Sequence, residues 1–147
     1  MRSSIPALFG LSVLLAAGCG GDGKGGSREN PDGSISVDLV EQSGSGQSGE
    51  ATLKAEDDER TRVTIDLANA PDAAQPAHIH ERPCEDIDPQ PTDTLQPVVN
   101  GHSETVINVS LNHLRSSPHA VNVHKSTDAL DDYVACGTIG EGGSLLP

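Results

Sequence analysis

Residues 35–67 decide the fold, and they read ISVDLVEQSGSGQSGEATLKAEDDERTRVTIDL. Apolar and polar residues alternate in three separate sets within this stretch. The apolar members are Ile35, Val37 and Leu39, then Ala51, Leu53 and Ala55, then Val63, Ile65 and Leu67. Because successive side chains of a strand point to opposite faces, each set predicts a strand with one buried face. A Gly/Ser-rich loop joins the first two strands and the polar residues 56–60 join the next two, which predicts antiparallel pairing.

The same alternation continues toward the C-terminus and predicts five further short strands. They lie at residues 76–81, 95–99, 107–111, 120–124 and 134–139. No segment predicts a long helix, so the expected fold is all-β: an eight-stranded Greek-key barrel or sandwich. An immunoglobulin-like sandwich is the alternative. The chain contains one Phe (Phe9), one Tyr (Tyr133) and no Trp. The core must therefore consist of Val, Ile, Leu and Ala.

Length and charge restrict the function classes. A chain of 147 residues has room for one domain of ordinary size. Its formal net charge of -13 repels phosphate backbones and anionic lipid surfaces, and the scarcity of aromatic rings leaves no platform for stacking bases. Nucleic acid is therefore not an expected partner.

The N-terminus has the layout of a secretory signal. Arg2 precedes an apolar run over residues 5–17, which is too short to span a membrane. Residues 15–19, LAAGC, resemble the lipobox of bacterial lipoproteins, in which the cysteine is lipidated and becomes the new N-terminus. The resemblance implies a signal peptide over residues 1–18, a lipid on Cys19 and an extracytoplasmic protein anchored to a membrane of the cell envelope. The alternative is an ordinary secreted protein with an unrelated cysteine.

The rest of the chain divides into three parts. Residues 19–33 are rich in Gly and charge and predict a flexible tether, residues 34–141 predict the β domain, and residues 142–147 predict a tail. Apart from the lipidated cysteine, only Cys84 and Cys136 remain. In an oxidising compartment these two should pair, which stabilises the fold by about 3 to 4 kcal/mol.

Three histidines on predicted strands form the candidate metal site. His78 and His80 occur in the sequence AHIH, so both should project from one face while Ile79 enters the core. His124 ends the sequence VNVH and should also point outward, where a metal can reach it. Imidazole nitrogen is a common ligand of copper and zinc. The alternative is that these are plain surface histidines.

Two motifs resemble the copper/zinc superoxide dismutase family: HIHERPC at residues 78–84 and VNVHKSTDALDDYVACGTIG at residues 121–140. The resemblance spans roughly residues 34–139 and implies the family's eight-stranded Greek-key barrel. It also implies that His78, His80 and His124 are copper ligands. It further implies a disulfide between Cys84 and Cys136.

The departures from the family pattern concern zinc and the anion. Residues 85–94 contain no histidine where the family places its zinc and bridging ligands, so zinc is not expected and copper-only members are the better parallel. Tyr133 stands where the family has its active-site Arg, and Lys125 is a partial substitute. His102 and His119 are not assigned as a fourth ligand, and the sequence does not predict an oligomeric state.

Three functions are therefore compatible with the sequence. The first is an envelope lipoprotein that binds copper through the three histidines and dismutates superoxide. The second is a non-catalytic copper-binding protein of the same fold, which the missing Arg favours because steering of an anion requires positive charge. The third is a metal-free interaction lipoprotein.

Overall fold

A computed structural model describes residues 26–140 of the chain. The predicted signal peptide over residues 1–18, the lipidation site Cys19 and the tail over residues 142–147 lie outside the described residues. Across the described range, no helix is both long enough and apolar enough to cross a membrane.

The described chain is built almost entirely of strands. They are β1 (Ser27–Glu29), β2 (Ile35–Glu41), β3 (Ser48–Ala55), β4 (Thr61–Ala68), β5 (Gln75–Glu81), β6 (Pro91–Val98), β7 (His102–Ile107), β8 (His119–Ser126) and β9 (Ala129–Ile139). One short helix, α1 (Leu111–Ser116), and a 3-10 turn at Cys84–Asp86 complete the elements.

Eight of these strands form one antiparallel sheet that curls into a nearly closed barrel. Their order is β6-β5-β8-β9-β2-β3-β4-β7, and β1 pairs with β2 beside this path. The connections from β4 to β5 and from β7 to β8 join strands that are not neighbours, which is Greek-key connectivity. The predicted all-β, eight-stranded barrel is confirmed, in preference to the immunoglobulin-like sandwich.

The barrel comes nearest to closure where β6 and β7 meet. A two-residue turn joins them, and Asn100 and Gly101 both have positive φ (51° and 79°), as a tight hairpin turn of this length requires. Along the seam, the amide of Gln96 donates to Thr105 Oγ1 (2.8 Å) and the Ser103 hydroxyl donates to the Gln96 carbonyl (2.7 Å). Side chains thus complete part of the ladder that backbone pairs would otherwise make.

The core consists mainly of the apolar residues that alternation predicted, although Ala55 of β3 is exposed. Val37, Leu53 and Ile65 are almost completely buried, and Ile79, Val121 and Val123 join them from the other half of the barrel. No residue of this core is aromatic. Since the strands turn one face toward the interior, the interior is filled by small and medium aliphatic side chains.

The predicted strand over residues 107–111 is wrong, because the observed strand β7 lies earlier in the chain and shares only Ile107 with it. β7 ends at Ile107, and Leu111 begins a helix in which Leu111 and Leu114 are the buried residues. Ser110 is the N-cap, and its side chain accepts a hydrogen bond from the amide of His113 (3.1 Å). Capping by a serine, together with apolar residues three apart, outweighs an alternation that Ile107 and Leu111 also satisfy.

The predicted flexible tether over residues 19–33 is wrong in part, because a segment of it forms a strand. It contains β1, in which Arg28 contacts Asp38 and Glu50 on the neighbouring strands. Residues 19–25 lie outside the described range.

The connection between β5 and β6, residues 82–90, is called here the disulfide loop. Cys84 forms a disulfide with Cys136 of β9, 52 residues further along the chain, as cysteine counting predicted. The amide of Cys84 donates to Thr138 Oγ1 (3.1 Å), and the amide of Arg82 donates to the Pro118 carbonyl (3.0 Å). These contacts hold the loop against the outer face of β8 and β9.

Candidate metal centre

The three predicted histidines meet on the outer face of neighbouring strands. β5 carries His78 and His80, and β8 carries His124. β5 and β8 are paired so that Ala77 lies opposite Val123, which points both residues into the core and sends the adjoining histidines to the other side. One ligand atom from each histidine lies within 4.8 Å of the others. The cluster of His78, His80 and His124 is therefore a possible metal site.

The expectation that all three histidines would be exposed is wrong for two of them. His80 is 1% exposed and His124 is 3% exposed, whereas His78 is half-buried. The disulfide loop covers His80, because the carbonyl of Asp88 lies 2.7 Å from its Nδ1. His124 is enclosed by the start of β9, where the Leu130 carbonyl lies 2.6 Å from its Nδ1. Alternation gives the face of a residue, but burial depends on these neighbouring segments.

The backbone contacts fix the tautomers of the two buried rings. A carbonyl oxygen can only accept, so Nδ1 of His80 and Nδ1 of His124 each carry the proton that they donate. In the neutral rings, both Nε2 atoms are then unprotonated and carry a lone pair. Backbone carbonyls play this orienting role beside metal-binding histidines generally.

His78 completes the cluster through its other ring nitrogen. Its Nδ1 lies 2.7 Å from Nε2 of His124. Since Nε2 of His124 has no proton to give, His78 Nδ1 donates this hydrogen bond. To bind an ion through the same nitrogen, His78 would carry its proton on Nε2 instead, which frees the lone pairs of His78 Nδ1 and His124 Nε2. The available donor set is therefore one Nδ1, from His78, and two Nε2, from His80 and His124.

Burial keeps the cluster neutral. Desolvation is the largest effect on each ring and lowers the pKa of His78, His80 and His124 below the ordinary value for histidine. For His78, the neighbouring imidazoles lower the pKa further. At His80 and His124, the backbone carbonyls act in the opposite direction but do not reverse the shift. Neutral imidazole is the form that binds metal ions.

The donor atoms fit a metal ion. Nε2 of His80 is buried and has no hydrogen-bond partner anywhere in residues 26–140. Leaving a buried polar atom unpaired costs about 1–3 kcal/mol, so such atoms in native proteins require an explanation. A lone pair that faces two further imidazoles supplies one, because an ion bound there would satisfy it.

The surroundings of the cluster offer little positive charge. Tyr133 occupies the predicted place beside His124, with ring centroids 5.2 Å apart and the rings nearly perpendicular. Lys125 points to Asp132 (Nζ to Oδ2, 3.9 Å). Arg82, at the start of the disulfide loop, lies 3.7 Å from a carboxylate oxygen of Asp86. Both neighbouring cations therefore already have an acidic partner.

The other histidines of the described chain lie outside the cluster. His102 is exposed and its Nδ1 lies 2.8 Å from Asp66. His119 is buried, but it contacts the Ser117 carbonyl and the ring of His113 rather than His124. Neither His102 nor His119 belongs to the cluster.

Comparisons with protein-family models, with curated proteins and with solved structures found no match to this chain. The class of protein that the fold and the site define is an eight-stranded antiparallel β-barrel with one disulfide and a buried three-histidine cluster.

Proposed function

We propose that this protein is a lipid-anchored copper-binding protein of the cell envelope, with a domain of the copper/zinc superoxide dismutase type. His78, His80 and His124 would hold the copper. The observation that carries the proposal is the buried, unpartnered Nε2 of His80 facing two further neutral imidazoles. The resemblance of residues 78–84 and 121–140 to that family supports copper as the metal.

The donor chemistry favours copper over harder cations. Three imidazoles suit copper and zinc, while magnesium and calcium prefer oxygen ligands. Copper(II) also binds most nitrogen sites more tightly than other divalent first-row ions do. Zinc is the less favoured metal because no histidine follows in residues 85–94, where the family holds its zinc.

The protein's own groups would orient the ligands and restrict access. The Asp88 and Leu130 carbonyls hold two rings in the correct tautomer, and the disulfide loop keeps solvent from His80. Copper would supply one-electron redox chemistry when bound. The half-buried ring of His78 leaves one side through which a small molecule can approach.

Superoxide dismutation is the second candidate function, and this accessible side of the cluster favours it. Electrostatic steering of superoxide needs positive potential at the entrance. Lys125 and Arg82 are each paired with a carboxylate, and the whole chain carries a net charge of -13. Any dismutase activity should therefore be slow compared with a steered reaction.

The membrane anchor is a separate element of the proposal. It is supported by the signal-like N-terminus and the LAAGC sequence at residues 15–19. A protein carrying Cys19→Ala should leave the membrane fraction, whereas retention there would contradict lipidation at this residue.

Metal content tests the proposal directly. The purified protein, with its disulfide formed, is exposed to copper(II) or zinc(II), dialysed and analysed for metal by mass spectrometry. We expect one tightly bound copper per chain, and loss of nearly all of it in His80→Ala. His102→Ala is the matched control, because His102 is exposed on β7 and is not part of the cluster.

The result that would overturn the ligand assignment is unchanged copper in a folded His80→Ala protein. A superoxide-removal assay on the loaded protein then separates the two functions. Copper without activity supports binding or delivery, and copper with activity supports a dismutase. No bound metal would contradict both.

A further inference from the structure

Asn122 presents a second unsatisfied polar group close to the histidine cluster. Its side chain is completely buried, and neither Oδ1 nor Nδ2 has a hydrogen-bond partner within residues 26–140. A buried amide without partners is rare because its desolvation is uncompensated. Nothing in the barrel's packing accounts for an asparagine here, since an aliphatic side chain would fill the same position at lower cost.

The strand register places Asn122 beside the metal ligands. Asn122 lies directly opposite His78 in the β5–β8 ladder and two residues before His124 on β8. All three side chains therefore project from the same face of the sheet. On its other side, Asn122 lies opposite Cys136, whose disulfide ties down the covering loop. The amide thus lies between the histidine cluster and the disulfide.

Two unpaired donor groups consequently occur on one covered face. Nε2 of His80 and the amide of Asn122 belong to adjacent strands, and both are inaccessible to solvent. An ion bound among the histidines would be able to take a lone pair from His80 Nε2 and one from Asn122 Oδ1.

We propose that Asn122 is a fourth protein group of the metal centre and that its Oδ1 is offered to the bound ion from the loop-covered side. The inference rests on the proposed metal-binding function and adds to it the ligand that the three histidines leave undetermined. It also assigns a preference, because an amide oxygen is a hard donor. Asn122 should therefore stabilise copper(II) more than copper(I).

The test compares both oxidation states of copper in Asn122→Leu and the wild-type protein. We expect the Kd for copper(II) to rise about tenfold or more, while the Kd for copper(I) stays nearly constant. A tenfold change in copper(II) affinity alone raises the one-electron reduction potential by about 59 mV. The copper(II) EPR spectrum should change as well, because one protein donor would be lost.

Two further variants keep the test decisive. Asn122→Asp retains an oxygen and adds negative charge, so it should bind copper(II) at least as tightly as the wild-type protein. This variant also serves if Asn122→Leu does not fold. Gln75→Leu is the matched control: Gln75 is equally buried on β5 and its Oε1 is also unpaired, but it points into the barrel interior with Ala77 and Ile79.

The outcomes separate this inference from the proposed function. Wild-type protein that binds no copper defeats both. Suppose that the wild-type protein binds copper and that Asn122→Leu has the wild-type Kd for each oxidation state and the wild-type EPR spectrum. Then only the role of Asn122 is overturned. In that case the metal-free leucine variant should simply be more stable, as Gln75→Leu should be.

Discussion

The outer face of the barrel is open to solvent in the half that contains β4, and it is covered in the half that contains β8. On β4, buried and more exposed residues alternate along the strand, and its outer face carries Arg62 between Glu56 and Glu104. On β8, every residue from His119 to His124 is buried, although alternate side chains point away from the core. The second half is covered by the disulfide loop, and the first half is open to water.

The open face carries only solvated ion pairs, whereas the covered face carries the possible metal site. Surface ion pairs on β4 are solvated and contribute little to stability. The covered face instead buries polar groups, including His80, Asn122 and His124. Burying polar groups costs free energy unless they are paired, so the cover on β8 is better explained by ligand binding than by stability.

Removing the disulfide should lower the stability of the protein more than any other change considered, because the disulfide anchors the disulfide loop over β8. Replacing Cys84 and Cys136 by Ser frees a loop of 52 residues, for which chain entropy predicts a loss of about 4 kcal/mol. Urea unfolding measures this loss as a lower midpoint. We also expect weaker copper binding, since the disulfide loop would no longer hold the Asp88 carbonyl against the ring of His80. An unchanged midpoint would show that packing alone fixes the cover.

Acid should weaken the metal-free protein through the covered face. The pKa of His80 and of His124 is lowered on folding, so between the ordinary histidine pKa and the lowered values the unfolded chain binds protons that the folded chain does not. Stability therefore falls as the pH falls through the ordinary histidine pKa and then through the lowered values. Thermal unfolding across this range should show a shallower fall for His80→Asn than for the wild-type protein.

His102→Asn is the control for this pH dependence, because His102 lies exposed on the open half. Comparison with the wild-type protein also removes the general effect of approaching the sequence pI of about 4.5, where overall repulsion declines. Equal slopes for His80→Asn and the wild-type protein would contradict the burial of a neutral ring.

The smallest effect is expected on the open half. Arg62→Ala removes contacts with Glu56 and Glu104, but the pairs are exposed to solvent. The melting temperature should fall slightly in low salt, and the difference should shrink in high salt because the charges are screened. Copper content should not change. A large, salt-independent loss of stability would remove the contrast between the two halves.

Much of the fold could be predicted because the barrel obeys a simple period. The strands containing Val37, Leu53 and Ile65 follow strict alternation, and counting cysteines was enough to pair Cys84 with Cys136. The helix at Leu111–Ser116 was missed because its buried residues also fit a strand, and only the cap at Ser110 distinguishes the two structures.

The candidate site could be predicted in composition but not in environment. The sequence AHIH and the strand ending at His124 were enough to place the rings on one face. The burial of His80 depends on the Asp88 carbonyl, which is a backbone group and has no sequence signature. Asn122 was missed because an asparagine on an outward strand position predicts solvent contact. An asparagine two residues before the predicted ligand His124 was the one signal available.

The disulfide also gives the molecule a circular covalent topology over residues 84–136. His124 lies within this closed ring, whereas His78 and His80 lie on the chain that enters it. A protease that cuts one peptide bond inside the ring, for example in the turn at Asn100–Gly101, opens the ring without dividing the molecule. The three histidines then remain on a single covalent species, and the fragments separate on a gel only after reduction.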